Sequence, residues 1–287
     1  MIVVLIIIVI LVLLFLLAIM GRKGHPDLPK LRGWSYAHRG LHGEGRPENS
    51  MAAFRAALEG GYGIELDVHL LKDGNLAIMH DSSLKRTAGA DVKIEDLTTE
   101  ELKNYRLEGT EETIPTFREL LDLYAGKAPL IIELKVAGNN YAELTDAVCK
   151  MMDTYSGTYC MESFDPRCVL WLRKNRPDII RGQLTENYFV SKSKIPGILK
   201  FLLTNNLLNF ITFPDFVAYR FGDRKCTFTN AIWKKLWRVE AVTWTLKTKE
   251  EYDTAIQEGW IPIFEQFIPS IKECRRQQPA AFFLYAM

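Results

Sequence analysis

The chain has 287 residues, of which 48% are hydrophobic and 25% are charged, and its formal net charge is +1. This apolar and balanced composition excludes an intrinsically disordered protein, and the near-zero charge argues against a nucleic-acid binder that relies on bulk electrostatics. No repeat of about 20 to 50 residues is evident, which argues against a solenoid.

The first segment, residues 1–20, contains no charged residue. A helix of this length spans about 30 Å, the thickness of a bilayer core, so the segment predicts a single transmembrane anchor. A cleaved signal peptide or a buried helix is the alternative. The signal peptide is disfavoured because no basic stretch precedes the apolar run and residues 17–21 make a poor cleavage site.

Residues 21–33 are polar, contain glycine and proline, and are interpreted as a short linker. Basic residues lie here and none precedes the apolar run, so the positive-inside rule places the rest of the chain in the cytoplasm; they are Arg22, Lys23, Lys30 and Arg32. Five scattered cysteines without a Cys-x-x-Cys pair fit reduced thiols. An external domain behind a bacterial anchor is the alternative.

The predicted domain over residues 34–287 has about 250 residues, the usual size of an eight-stranded β/α barrel. Short apolar runs alternate with patterns of helical length, which indicates parallel βαβ units, and eight such units predict a closed (β/α)8 TIM barrel. A doubly wound open sheet fits the same alternation. The predicted strands are Ser35–Gly40, Gly63–Leu71 (extended by Leu76–His80), Pro129–Val136, Thr158–Phe164, Asp178–Leu184, Asn209–Phe213, Ala241–Leu246 and Trp260–Phe264.

One charged segment, residues 81–113, interrupts this alternation after the second strand unit. It contains a predicted helix over Thr99–Tyr105, preceded by a capping signal at Thr98. Because it follows a barrel strand, we expect this insertion to form a small cap at the C-terminal mouth and to shape substrate access.

Two predicted strands carry charges where apolar residues are expected. Glu65 and Asp67 are two residues apart, so both carboxylates point to the same face, into the barrel. Glu133 and Lys135 repeat the pattern on the next strand. Three buried acids need a compensating cation, and oxygen ligands favour Mg²⁺ or Ca²⁺. Internal salt bridges of Glu133 with Lys135 or Arg39 are the alternative.

Two histidines, His38 and His80, end predicted strands close to these acids. Each alone would more often be structural, but the pair suggests proton transfer near neutral pH. Arg39 supplies a planar fork for a phosphate oxyanion. Glu48 is interpreted as a metal ligand, as a brace for Arg39, or as a helix cap. A divalent cation, two imidazoles, an arginine and a lysine together predict metal-assisted cleavage of a phosphodiester.

The order of these motifs resembles that of the glycerophosphodiester phosphodiesterase family, most specifically over the first 100 or so residues after position 33. The matching motifs are His38-Arg39-Gly40, Pro47-Glu48-Asn49-Ser50, Glu65-Leu66-Asp67-Val68, Lys72-Asp73-Gly74, His80-Asp81 and Glu133-Leu134-Lys135. The resemblance implies a β/α barrel that hydrolyses glycerophosphodiesters to glycerol 3-phosphate and an alcohol with Mg²⁺ or Ca²⁺.

The resemblance also implies residue roles. Glu65, Asp67 and Glu133 correspond to the metal ligands, and His38 and His80 correspond to the acid–base pair. The remaining matches are substrate contacts: Arg39 and Lys135 for the phosphate, and Trp244 for the pocket, with a core position for Trp244 as the alternative. The last strand departs from the family because it lacks the usual Thr-Asp pair, and Glu265 is the candidate substitute.

Three functions are therefore weighed. The leading one is a membrane-anchored glycerophosphodiester phosphodiesterase. The second is a lysophospholipase D-like enzyme, or a cyclising lipid phosphodiesterase, with the same site. The third is a catalytically inert anchored barrel, which the intact acids and histidines argue against. The expected partners are the diester or lysolipid substrate and the membrane, with no nucleic acid and no protein partner.

Overall fold

The computed structural model of the chain describes residues 1–270 and shows a barrel of eight parallel strands with one additional strand. The barrel is closed because β1 pairs with both β2 and β9, whereas β3 is antiparallel to β2. The strands are β1 Tyr36–His38, β2 Gly63–Leu70, β3 Leu76–Ile78, β4 Leu130–Leu134, β5 Tyr159–Ser163, β6 Arg181–Thr185, β7 Phe216–Arg220, β8 Glu240–Leu246 and β9 Ile261–Phe264. Closure confirms the predicted barrel and excludes the open sheet.

Helices follow the strands, and several begin where the sequence signals a start. The Ser50 hydroxyl accepts from the Ala53 amide at 3.1 Å, and Thr116 forms a reciprocal capping box with Glu119. The α-helices are α1 Ile2–Ala18, α2 Met51–Glu59, α3 Lys85–Ala88, α4 Thr99–Leu102, α5 Phe117–Tyr124, α6 Tyr141–Met152, α7 Pro166–Asn175, α8 Gly197–Thr204, α9 Asn209–Thr212, α10 Thr229–Ile232 and α11 Lys249–Gln257. Short 3₁₀ turns cover Leu28–Leu31, Ile94–Asp96 and Phe221–Asp223, and a π-helical turn covers Trp233–Trp237.

One predicted strand is wrong. Asn209–Phe213 was expected to be a strand, but Asn209–Thr212 is the short helix α9 and the strand, β7, follows at Phe216–Arg220. Two apolar runs flank Pro214, and periodicity over so few residues does not distinguish a helix from a buried strand. The tertiary contacts of Asp215 mark where the strand begins, and these contacts are with residues distant in sequence.

The barrel interior is divided into two layers. The lower layer, near the strand N-termini, is apolar and contains Tyr36, Ile131, Cys160, Ile180, Phe216, Val242 and Ile261. The upper layer, at the C-terminal ends, carries the charged residues of β1, β2 and β4. Burial of the apolar layer stabilises the barrel at about 25 cal/mol per Å² and leaves the polar groups facing the mouth.

The N-terminal helix α1 covers 17 residues, and none of its side chains is buried. Within residues 1–270, no helix is both long and apolar enough to cross a membrane. The predicted span over residues 1–20 is therefore not supported. The helix ends at Ala18 after about 26 Å, and Ile19 is already buried in the protein core. The cytoplasmic placement depended on this span and stays a prediction.

Residues 21–33 pack against the lower end of the barrel. Leu28 and Leu31 join the lower apolar layer, and the Tyr36 hydroxyl donates to the Leu31 carbonyl at 2.9 Å. Arg22 makes a two-point ion pair with the buried Asp215 at 2.5 and 2.6 Å. This segment, predicted as a linker, thus contributes side chains to the core of the barrel.

We expect Asp215→Ala to lower the free energy of unfolding by about 3 kcal/mol. The substitution leaves Arg22 without its carboxylate partner and the Arg181 amide without the acceptor it now has at 2.9 Å. Thermal unfolding followed by circular dichroism measures the loss. Asp253→Ala removes an exposed ion pair with Lys249 and is the matched control, with an expected change below about 1 kcal/mol. Equal stability of both variants would contradict the structural role of Asp215.

The insertion over residues 81–113 has a small core of its own on the outer side of β3. Its apolar residues are Leu84, Ile94, Leu97, Leu102 and Leu107, which pack with Ala77 and Met79. The predicted helix over Thr99–Tyr105 is shorter than expected and covers Thr99–Leu102, with the capping box at Thr98 present. Glu95 of the insertion contacts His69 of β2 at 2.7 Å, which fixes the insertion beside the barrel mouth.

Candidate active site

Three acids of neighbouring strands meet at the C-terminal end of the barrel. Glu65 and Asp67 project inward from β2, and Glu133 projects inward from β4, where it is paired in register with Asp67. All three side chains are buried, and each offers a carboxylate oxygen within 4.8 Å of the others. The period-two alternation of the strands thus brings together the acids that the sequence predicted as metal ligands.

Two basic side chains compensate part of this negative charge. Lys135 Nζ lies 2.9 Å from a Glu133 oxygen and 3.3 Å from Asp67 Oδ1. Burial disfavours ionisation of Asp67, but Lys135, His80 and Arg39 outweigh it and hold the pKa of Asp67 below its usual range. Internal salt bridges therefore exist, as the alternative interpretation required.

Salt bridges do not account for the whole cluster. Among the described residues, no lysine or arginine side chain is in ion-pair contact with Glu65, which accepts a hydrogen bond from the Arg39 backbone amide at 3.2 Å. Burial, followed by repulsion from Asp67 and Glu133, raises the pKa of Glu65 well above its usual value. Burial likewise raises the pKa of Glu133 to about 7, against the opposing effect of Lys135. Surplus buried carboxylates with all-oxygen donors fit a hard divalent cation.

Two imidazoles flank the acids, and each is held by a carboxylate at Nδ1. His38, at the end of β1, lies 2.6 Å from Glu265, and His80, after β3, lies 2.6 Å from Asp81. A carboxylate partner fixes the proton on Nδ1 and leaves Nε2 available for a substrate. Burial lowers the pKa of His80 to about 4, so this ring is neutral at pH 7, and burial also lowers the pKa of His38.

Arg39 is held at the mouth by a chain of ion pairs. Its Nη1 donates to Glu48 at 2.9 Å, and Glu48 in turn accepts two hydrogen bonds from Arg86 of the insertion. Of the three roles considered for Glu48, the structure therefore shows the brace for Arg39. Behind it, the Asn49 amide donates to Asp67 at 2.8 Å, a contact that the sequence analysis did not predict.

A cavity of about 40 Å³ lies between these groups, and a groove of about 340 Å³ adjoins it. The cavity brings together most of the predicted site residues and four apolar walls: His38, Arg39, Glu65, His80, Glu133, Glu162, Phe164, Leu184, Trp244 and Ile263. Lys135 lines the adjoining groove. Trp244 lines the cavity and also packs edge-on against Phe164 at 5.5 Å, so both interpretations of this residue apply.

Sequence reasoning missed Glu162 and the carboxylate partners of the two imidazoles. Glu162 is buried on β5 and paired in register with Glu133, and strand alternation was the signal that could have found it. His69 contacts Glu95 and the His80 carbonyl, and these contacts give it a structural place beside the site.

The sequence profile of the glycerophosphoryl diester phosphodiesterase family matches residues 38–268. The chain belongs to this family. A glycerophosphodiester phosphodiesterase of Bacillus altitudinis is 41% identical over 113 residues, which is 37% of this chain and 46% of that protein. The lysophospholipase D GDPD1 of Homo sapiens is 36% identical over 116 residues, 36% of each chain. The match therefore covers less than half of the length of each of these two relatives.

Solved structures with the same fold cover nearly the whole phosphodiesterase barrel. One is a phosphodiesterase of Oleispira antarctica in complex with the product sn-glycerol-3-phosphate, with a TM-score of 0.67 and 21% identity; the alignment covers 85% of this chain and 97% of that one. Another is a glycerophosphodiester phosphodiesterase of Thermotoga maritima, with a TM-score of 0.63 and 24% identity over 84% and 95% of the two chains. At these identities the likeness establishes the fold.

Proposed function

We propose that the chain is a divalent-metal-dependent hydrolase that cleaves glycerophosphodiesters to glycerol 3-phosphate and an alcohol. The observation that carries this proposal is the cluster of three buried carboxylates, with two carboxylate-bound imidazoles, at the C-terminal end of the barrel. Membership of the phosphodiesterase family supports the same reaction.

Glu65, Asp67 and Glu133 would hold the cation, Mg²⁺ or Ca²⁺. When bound, it supplies positive charge next to the non-bridging phosphate oxygens, which stabilises the charge that grows on them in the transition state. Arg39 and Lys135 add donors on the same side of the cavity. Both are already paired with carboxylates, so they are oriented before the substrate binds.

The two imidazoles transfer the protons of the reaction. One imidazole, unprotonated at Nε2, would remove a proton from the attacking water as its oxygen bonds to phosphorus. The other imidazole would enter the step as imidazolium and give its Nε2 proton to the departing alkoxide. Water is consumed, one P–O bond breaks, and the products are a phosphomonoester and an alcohol. Asp81 and Glu265 would stabilise the imidazolium form of each ring, which is the product on the base and the starting form of the acid.

The experiment that tests this function is hydrolysis of a panel of glycerophosphodiesters by the purified full chain, with each divalent ion and with a chelator. We expect release of glycerol 3-phosphate that stops with the chelator and returns with Mg²⁺ or Ca²⁺. Turnover unaffected by the chelator would contradict the metal requirement. No hydrolysis of any diester would favour the inert barrel.

A second candidate function is release of head groups from lysophospholipids, which the similarity to lysophospholipase D GDPD1 supports. In the cyclising form of this reaction, a substrate hydroxyl replaces water as the nucleophile. Phosphorus NMR of the products separates these reactions because a cyclic phosphate accumulates only when the nucleophile is intramolecular.

We expect Glu265→Gln to lower kcat by about 10- to 100-fold, with KM nearly unchanged. Glu265 holds His38 at 2.6 Å, and an amide would no longer stabilise the protonated ring. Lys247→Ala is the matched control, because Lys247 contacts the other Glu265 oxygen at 2.9 Å and is half exposed. If Lys247→Ala lowered kcat as much as Glu265→Gln, the loss could not be assigned to the contact between Glu265 and His38.

We also propose that the catalytic domain lies in the cytoplasm. In support, Cys149, Cys160, Cys168 and Cys226 are free thiols, as expected for a reducing compartment. Cys274 lies outside the described residues. Protease added to intact cells should leave the domain uncut, and prompt external digestion would contradict this placement.

A further inference from the structure

Glu162 is a further carboxyl group in the cavity, beside Glu65 and Glu133, and the mechanism described above does not use it. It projects inward from β5 beside Glu133, and only 1% of its surface is exposed. Within residues 1–270, its Oε2 has no hydrogen-bond partner, although the residue lines the cavity. A buried carboxyl oxygen without a partner costs folding free energy, which indicates a function for this residue.

The chemistry around Glu162 restricts what it can bind. Its oxygens do not belong to the group of acids within 4.8 Å of one another that fits the cation. An anionic phosphate is disfavoured next to a carboxyl group that lies beside Glu133. A neutral hydroxyl remains, because it can donate to a carboxylate or accept from a carboxylic acid.

The apolar walls of the cavity fit a short carbon chain. Phe164, Leu184, Trp244 and Ile263 are the apolar lining residues, and the acids and imidazoles provide the rest. A glycerol arm has both features, since its C–H groups suit apolar walls and its hydroxyls need a polar partner. Beyond its phosphate, a simple alkyl diester offers nothing for Glu162 to bind.

We propose that Glu162 binds a hydroxyl group of the glycerol arm and thereby selects glycerol diesters over diesters of simple alcohols. This inference rests on the proposed function and adds a specificity-determining residue to it. A site built to hydrogen-bond a substrate hydroxyl rejects the analogue that lacks it, because the buried polar group is then left unpaired.

The test compares two substrates that share the choline leaving group, glycerophosphocholine and propylphosphocholine, of which the second lacks both free hydroxyls. We expect the unmodified chain to prefer the first by at least about 100-fold in kcat/KM. Glu162→Leu should lose most of this preference, chiefly through a higher KM for glycerophosphocholine. Glu162→Gln, which can still hydrogen-bond, should retain a larger share of it.

Two controls separate recognition from packing and from metal binding. Cys160→Ala, one layer lower on the same strand, also removes a buried inward side chain and should leave the substrate preference unchanged. Calorimetric titration of Glu162→Leu with Mg²⁺ and with Ca²⁺ should give affinities within a few-fold of the unmodified chain.

Three results would overturn the inference. An unchanged substrate preference in Glu162→Leu would exclude hydroxyl recognition, and a loss of metal affinity of more than about 10-fold would assign Glu162 to the cation site. Failure of the unmodified chain to hydrolyse any glycerophosphodiester of the panel would refute the proposed function itself. The last result is distinct because it does not depend on any substitution at Glu162.

Discussion

His80→Ala is expected to lower kcat by about 10²- to 10⁴-fold, with KM for glycerophosphodiesters changed only a few-fold. His80 is neutral at pH 7, Asp81 holds its Nδ1 at 2.6 Å, and it lines both the cavity and the adjoining groove. Its interaction with the substrate strengthens as the proton moves, so its removal acts on the transition state more than on binding. Steady-state kinetics with saturating metal measures the change.

Imidazole added to His80→Ala provides the sharper control. About a third of the His80 side chain is exposed (31%), so the space it leaves is open to a small molecule from solution. Added imidazole should restore part of the turnover and should not affect the unmodified chain. If turnover instead recovers fully at high substrate concentration, His80 contributes to binding and the assignment is wrong.

Glu65→Gln is expected to weaken Mg²⁺ and Ca²⁺ binding by at least about 100-fold in calorimetric titration, because it removes a charged oxygen ligand. The same substitution removes a buried negative charge that Asp67 and Glu133 repel. Without metal, the variant should therefore unfold at the same temperature as the unmodified chain or at a higher one. Metal affinity thus falls without a loss of stability, a combination that a misfolded variant would not show.

The metal-induced rise in melting temperature supplies an independent readout. At a metal concentration of about 100 times Kd, the unmodified chain gains about 2.7 kcal/mol, and the Glu65→Gln variant should lose most of that gain. Glu162→Gln is the matched control, since it also neutralises a buried cavity acid but lies outside the cation cluster. Equal metal-induced shifts in Glu65→Gln and the unmodified chain would exclude Glu65 as a ligand.

The barrel and the core of the candidate site were predictable because local rules govern them. Strand alternation alone places Glu65 and Asp67 on one face, and a charge in the interior of a barrel strand needs a chemical reason. The same rule applied to β5 would have found Glu162. It was overlooked because, unlike Glu65 and Glu133, it has no second charged residue two positions further along its strand.

Contacts between distant residues were not predictable in this way. The pairing of His38 with Glu265 joins residues 227 positions apart, and the position of β7 depends on the contacts of Asp215 with Arg22 and the Arg181 amide. A local pattern carries no information on such pairs, which form only when the barrel closes. Residues 21–33 are the clearest example of such unpredicted contacts. Their polar composition suggested a linker, but Leu28 and Leu31 are buried in the core.

That segment decides how the chain can be shortened for biochemical work. A version starting at residue 34 would omit Leu28, Leu31 and the arginine that pairs with Asp215, and would open the underside of the barrel to water. A version starting at Ile19 would keep all three and would lose helix α1, with the Phe15 contact to Phe228 and the hydrogen bond from Trp237 to the Leu16 carbonyl. The smallest recombinant form therefore includes the residues immediately before the first strand.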